Sequence, residues 1–170
     1  MPLAKHIESV GGAKPTYLET RYKLMPYLYT TAEEMTRIGV PIMRPLFVEF
    51  PNVTKDKHPI DLDTGAEFLF GPDLLVAPAP FPDELDAYSI RFPPGNWYDF
   101  WTGEALRRSD AKPDAEGEPQ TKPLTVTPEL AVLPVYVRGG SIVPMQPLTQ
   151  STMEVPKGPL TLRVYPGNHC

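Results

Sequence analysis

Two hydrophobic periods divide the chain. Between Thr16 and Gly39, apolar residues recur in steps of three and four at Leu18, Tyr22, Met25, Tyr29 and Ala32, and Leu24, Leu28 and Met35 widen the stripe. The spacing predicts a helix with one buried face. Thr16 stands three residues before Glu19, the separation of a capping box, and Gly39 supplies a stop. Pro26 lies inside the run. Its ring clashes with the carbonyl four residues back, which predicts a kink near Tyr22. Tyr22, Tyr27 and Tyr29 read as core packing in preference to a ligand platform. Val40–Val48 reads as an extended segment, although Pro41 and Pro45 deny it two ladder donors. Glu49–Ala66 carries mixed charge and reads as a loop.

From Glu67 onward the period falls to two. Glu67–Phe70 and Leu74–Ala79 are short apolar runs parted by Gly71-Pro72-Asp73, a turn signal. Tyr88, Ile90 and Phe92 alternate with Ser89 and Arg91, as in a half-buried strand. Pro93-Pro94-Gly95-Asn96 turns the chain into Trp97–Trp101, and Thr102-Gly103 turns it again. Glu104–Pro123 is polar and aperiodic, which predicts a long solvated loop or mobile insertion. Leu124–Thr127, Val132–Val137, Ser141–Val143 and Leu160–Tyr165 complete the strands. The pattern predicts a mainly β protein, an antiparallel β-sandwich preceded by a kinked helix. There is no internal repeat.

Composition supports this. The chain has 170 residues, 41% of them hydrophobic, which suffices for a core. Its 23 prolines favour many short elements over a helical bundle. The net charge of −5 comes with no Lys/Arg stripe, so nucleic acid is not an expected partner. No apolar run is long enough to span a bilayer, so no membrane is expected either. Met1–Gly12 has no apolar signal-peptide core, and the compartment stays open. The single cysteine, Cys170, excludes an internal disulfide, and His169 beside it lacks a second cluster to complete a metal site. No cofactor is expected.

Hydrolysis of a sugar linkage with retention needs two carboxyl groups facing each other. Asp61 and Asp63 lie two apart, and Asp83, Glu84 and Asp86 form an acidic run, but neither group sits in an apolar stretch that would separate two pKa values. Both read as solvated loop. Asp99 lies in Trp97-Tyr98-Asp99-Phe100-Trp101, where a nucleophile among aromatics is conceivable. Alternation places Trp97, Asp99 and Trp101 on one face, with Asp99 capping the turn at Thr102-Gly103, and this structural role is favoured. Arg138-Gly139-Gly140-Ser141 resembles a phosphate nest, but no helix follows, so it reads as a β-turn. Asn52-Val53-Thr54 fits the glycosylation acceptor pattern. These residues alone name no activity.

A longer set of motifs does. The stretches Arg21–Thr30 (RYKLMPYLYT), Gly39–Phe47 (GVPIMRPLF), Glu49–Pro51, Phe68–Gly71, Leu74–Pro78, Pro94–Gly103 (PGNWYDFWTG), Leu133–Gln146 (LPVYVRGGSIVPMQ) and Leu160–Gly167 (LTLRVYPG) occur in one order along the chain. Together they resemble glycoside hydrolase family 31, which includes α-glucosidases and α-xylosidases. The resemblance implies a (β/α)8 barrel followed by proximal and distal β-sandwiches. It makes residues 1–66 a C-terminal remnant of the barrel, with Val40–Phe47 as a last barrel strand left without neighbours. It makes residues 67–170 a truncated proximal sandwich. The family's nucleophile and acid/base aspartates lie on earlier barrel strands, and nothing before Arg21 matches them, so no catalytic residue is carried over. The expected reading is a C-terminal fragment of a retaining α-glycosidase, inactive alone, whose parent binds an α-glucoside. The fragment would associate with the missing barrel half or with itself through uncovered apolar surface. The rival readings are a non-catalytic carbohydrate-binding sandwich, with Trp97, Trp101 or Tyr88 stacking on sugars, and a subunit that completes a barrel in trans.

Overall fold

Where apolar residues run without alternation, the strand is buried on both faces, and two such runs become the centre of the main sheet. The computed structural model describes residues 16–51, 54–55, 58–59, 67–79, 87–106, 124–127 and 132–167. Its elements are α1 (Thr16–Lys23), α2 (Met25–Ile38), β1 (Met43–Arg44), α3 (Leu46–Glu49), β2 (Thr54–Lys55), β3 (His58–Pro59), β4 (Phe68–Phe70), β5 (Leu74–Val76), β6 (Tyr88–Ile90), β7 (Trp97–Asp99), β8 (Leu124–Val126), β9 (Val135–Arg138), β10 (Ile142–Met145) and β11 (Thr161–Val164). The fold is mainly β, and every strand pair is antiparallel. The chain forms two compact units, one from residues 1–40 and 142–164, the other from residues 41–141 and 165–170.

The second unit holds a five-stranded sheet in the order β1-β4-β5-β9-β7. One cross-strand row runs Arg44, Leu69, Leu75, Tyr136, Asp99. Strict alternation therefore puts these side chains, with Trp97 and Arg138, on one face. The two-stranded ladder β6-β8 brings Ile90, Tyr88, Leu124 and Val126 to the core that this face builds with Leu46, Leu69, Leu75, Ala77, Phe92, Trp97 and Tyr136. That core is the filling of the sandwich. On the opposite face Leu74, Val135 and Val137 are also buried, and Tyr165 packs against Tyr98 with ring centroids 5.5 Å apart. β6 behaves as its alternation predicts, with Ser89 exposed and Ile90 buried.

The first unit joins α1 and α2 to the β10-β11 ladder, with α2 lying against β10. The expected kink falls at Leu24, between the two helices. Pro26 has no N–H for the Tyr22 carbonyl, and the ladder resumes with Leu28 N–H on the Leu24 carbonyl at 2.9 Å. Gly39 ends α2 as predicted, at φ 75° with its N–H on the Met35 carbonyl. The buried face differs from the expected stripe. Leu24, Tyr27 and Thr31 are inside, while Tyr29 is 69% exposed and Leu18 and Met35 are also exposed. Leu24, Tyr27 and Thr31 keep steps of three and four across Leu24, so the buried line is a neighbouring one on the helix surface, and it includes a threonine whose hydroxyl donates to the Tyr27 carbonyl. Tyr27 is thus core, Tyr22 half-buried and Tyr29 solvated.

The segment Val40–Val48 also needs correction. Only Met43–Arg44 is strand, and β1 has a neighbour, pairing antiparallel with β4. After Pro45 the chain makes one helical turn, α3, which drives Leu46 fully into the core. One turn is too short to leave a periodic signature. Asp61, Asp63, the Asp83-Glu84-Asp86 run, Asn52-Val53, most of the Glu104–Pro123 stretch and His169-Cys170 lie outside the described residues.

In the turn after β9, Gly139 has no room for a side chain. A Cβ on Gly139 would meet the Asn96 Cβ and the Pro166 carbonyl oxygen, each at 2.9 Å. Gly139→Ala is expected to destabilise the protein by about 1–3 kcal/mol. Gly103→Ala, at φ 76° in open space, is expected to cost about 1 kcal/mol, from backbone strain alone. Urea midpoints for the two variants should fall in that order.

Candidate functional site

The sequence singles out one acidic residue among aromatics, and the structure shows what holds it. β7 exists because Trp97 and Phe100 each bury an aromatic side chain, at 0% and 2% exposure. The Trp97 indole N–H donates to the Pro93 carbonyl at 2.9 Å, so the only polar atom of that side chain is satisfied inside the core. Its ring lies 5.8 Å from Phe92 and 6.4 Å from Phe50. Asp99, two residues on, shares the Trp97 face as expected. Its Oδ1 accepts from the backbone N–H of Trp101 at 2.8 Å and of Thr102 at 2.7 Å. Its own N–H and carbonyl close the hairpin with Glu104 and Gly103. This is an Asx turn, and the capping role read from the sequence is what the geometry contains.

Two phenols surround the same core. The Tyr88 hydroxyl donates to the Ala77 carbonyl at 2.7 Å. Burial, and then the Glu67 carboxylate, raise its pKa. Tyr136 stands beside Asp99 in the ladder register. Burial pushes it up to about 12, aided by the charge of Asp99 and then by Tyr88. A phenol held neutral this firmly is unsuited to proton transfer near neutral pH.

Other carboxylates hold protein partners. Glu49 pairs with the Arg44 guanidinium, whose Nε donates to the Pro41 carbonyl at 2.9 Å. Arg44 is 1% exposed, so a cation sits in the sandwich core against a carboxylate brought round by α3. Sequence reasoning missed this pair. Its only signal is an arginine inside an apolar stretch with an acid five residues later. Asp73 Oδ1 accepts from the Ser141 hydroxyl at 2.6 Å, and Glu67 Oε1 accepts from the Arg91 N–H at 3.1 Å. Among the described residues no group of three His, Cys, Asp or Glu side chains is placed to hold a metal ion. No helix among them is long and apolar enough to cross a membrane.

The Gly139-Gly140 turn does not present a free anion nest. The Gly139 N–H donates to the Asn96 carbonyl and the Gly140 N–H to the Tyr165 carbonyl, both at 2.7 Å. The aromatics considered for sugar stacking are held to different degrees. Trp97 is fully buried. Trp101 is half-buried, packs edge-on against Phe100 and donates its indole N–H to the Leu133 carbonyl. Arg138 is half-buried, with its guanidinium 4.8 Å above the Phe50 ring.

Two outcomes are expected. Asp99→Ala removes an acceptor from two N–H groups and should cost about 1–2 kcal/mol, whereas Asp99→Asn keeps an oxygen there and should cost less, as read by urea denaturation. An unfolded phenol ionises near 10, so above that pH the unfolded chain releases its proton first. Stability should therefore fall as pH rises from about 10 to about 12, and Tyr136→Phe should flatten that decline in unfolding midpoints measured against pH.

Comparison with known proteins agrees with the fold and the motifs. Residues 39–143 match the model described as the glycosyl hydrolase family 31 C-terminal domain. An α-glucosidase 2 from Bacillus thermoamyloliquefaciens is 33% identical over 152 residues, covering 89% of this chain and 17% of the relative. An α-xylosidase from Saccharolobus solfataricus is 33% identical over 153 residues, covering 90% of this chain and 19% of the relative. The structure resembles a family 31 dextranase of Flavobacterium johnsoniae, solved with glucose, at a TM-score of 0.66 and 34% identity, covering 88% of this chain and 16% of that one. The chain thus spans less than a fifth of the length of these relatives. From the antiparallel sandwich, the ordered motifs and the matched domain, the chain belongs to glycosyl hydrolase family 31, whose C-terminal domain it carries.

Proposed function

We propose that the chain is the C-terminal part of a retaining α-glycosidase, and that it supports a catalytic barrel without supplying either catalytic carboxylate. The observation that carries this reading is the state of Asp99. It is the acid that the sequence sets among aromatics, where a nucleophile is conceivable, and its Oδ1 is committed to the Trp101 and Thr102 N–H groups. Retaining hydrolysis needs two carboxyl groups about 5–5.5 Å apart across a sugar. On this reading that pair, and the α-glucoside it acts on, belong to residues outside this chain.

In the same reading residues 1–66 are the end of the barrel and residues 67–170 the proximal sandwich. β1, in the first stretch, pairs antiparallel with β4 at the start of the second. The role of the segment is mechanical. It braces the barrel from the side on which barrel enzymes carry their active sites. The missing barrel half is then the natural partner, in the same polypeptide or as a separate subunit. A carbohydrate-binding role is less well supported, because Trp97 is buried and Trp101 is tied to Leu133.

The test uses the chain as it stands. Incubated with an aryl α-glucoside, it should release no phenol above the buffer rate. Turnover would overturn the reading, whether or not it survived Asp99→Ala. Titration with maltose should give no saturable change in tryptophan fluorescence, and a saturable change would favour the binding module.

A further inference from the structure

We draw no further inference here: the strongest candidate, the exposed apolar face of the β10-β11 ladder formed by Ile142, Leu162 and Val164, carries nothing because no feature of the structure shows what covers it.

Discussion

The sandwich depends on burying Trp97. An indole of that size removes on the order of 200 Å² from water, and full burial is tolerable only because its N–H reaches the Pro93 carbonyl. The proline-rich turn that precedes β7 supplies that acceptor. Phe92 and Phe50 pack tilted against the ring. Once Trp97 points inward, strict alternation decides its neighbours. Asp99 must share the inward face, and its carboxylate is accommodated by curling the chain over it so that two backbone N–H groups reach one oxygen. The same placement puts a negative charge beside Tyr136, which adds to burial in holding that phenol neutral. A motif that looks chemically poised is therefore the corner of a packed sheet.

The other end of the sheet solves a related problem with a charge. β1 contributes Arg44 to the same cross-strand row as Leu69, Leu75 and Tyr136. A buried guanidinium is costly unless paired and hydrogen-bonded, and α3 exists at the right place to return Glu49 to it. Leu46 enters the core on the same turn. The prolines of this stretch are part of the device. Pro41 offers its carbonyl to Arg44 Nε, and Pro45, extended at ψ 153°, ends the strand and launches the turn.

Much of this was legible from the residues. The short apolar runs Leu74–Ala79 and Val132–Val137 marked strands, and the alternation of Tyr88-Ser89-Ile90 marked one covered on a single side. Glycines and prolines marked the corners, including Gly39 and the Gly139-Gly140 turn. The turn role of Asp99 followed from its distance to Thr102-Gly103. What escaped had physical causes. The buried helix face escaped because it runs through Leu24, Tyr27 and Thr31, and an apolar count passes over a threonine that satisfies its hydroxyl on its own helix. The helical turn that begins inside Val40–Val48 escaped because four residues are too few to leave a 3.6-residue period. The Arg44–Glu49 pair joins residues from two different elements, and charge pairing of that kind leaves no periodic trace. Membership of the family was visible only as an ordered set of weak motifs, none of which carries chemistry by itself.

The proposed function treats the aromatic-flanked acid as architecture and assigns attack on a sugar to no carboxyl of this chain. Mass spectrometry of the intact chain after exposure to an activated fluoroglucoside tests it most directly, because a retaining nucleophile would be trapped as a covalent glycosyl ester. The account predicts an unchanged mass. A stoichiometric gain of one glycosyl unit, mapped by peptide sequencing to Asp99 or to any other carboxylate, would contradict it.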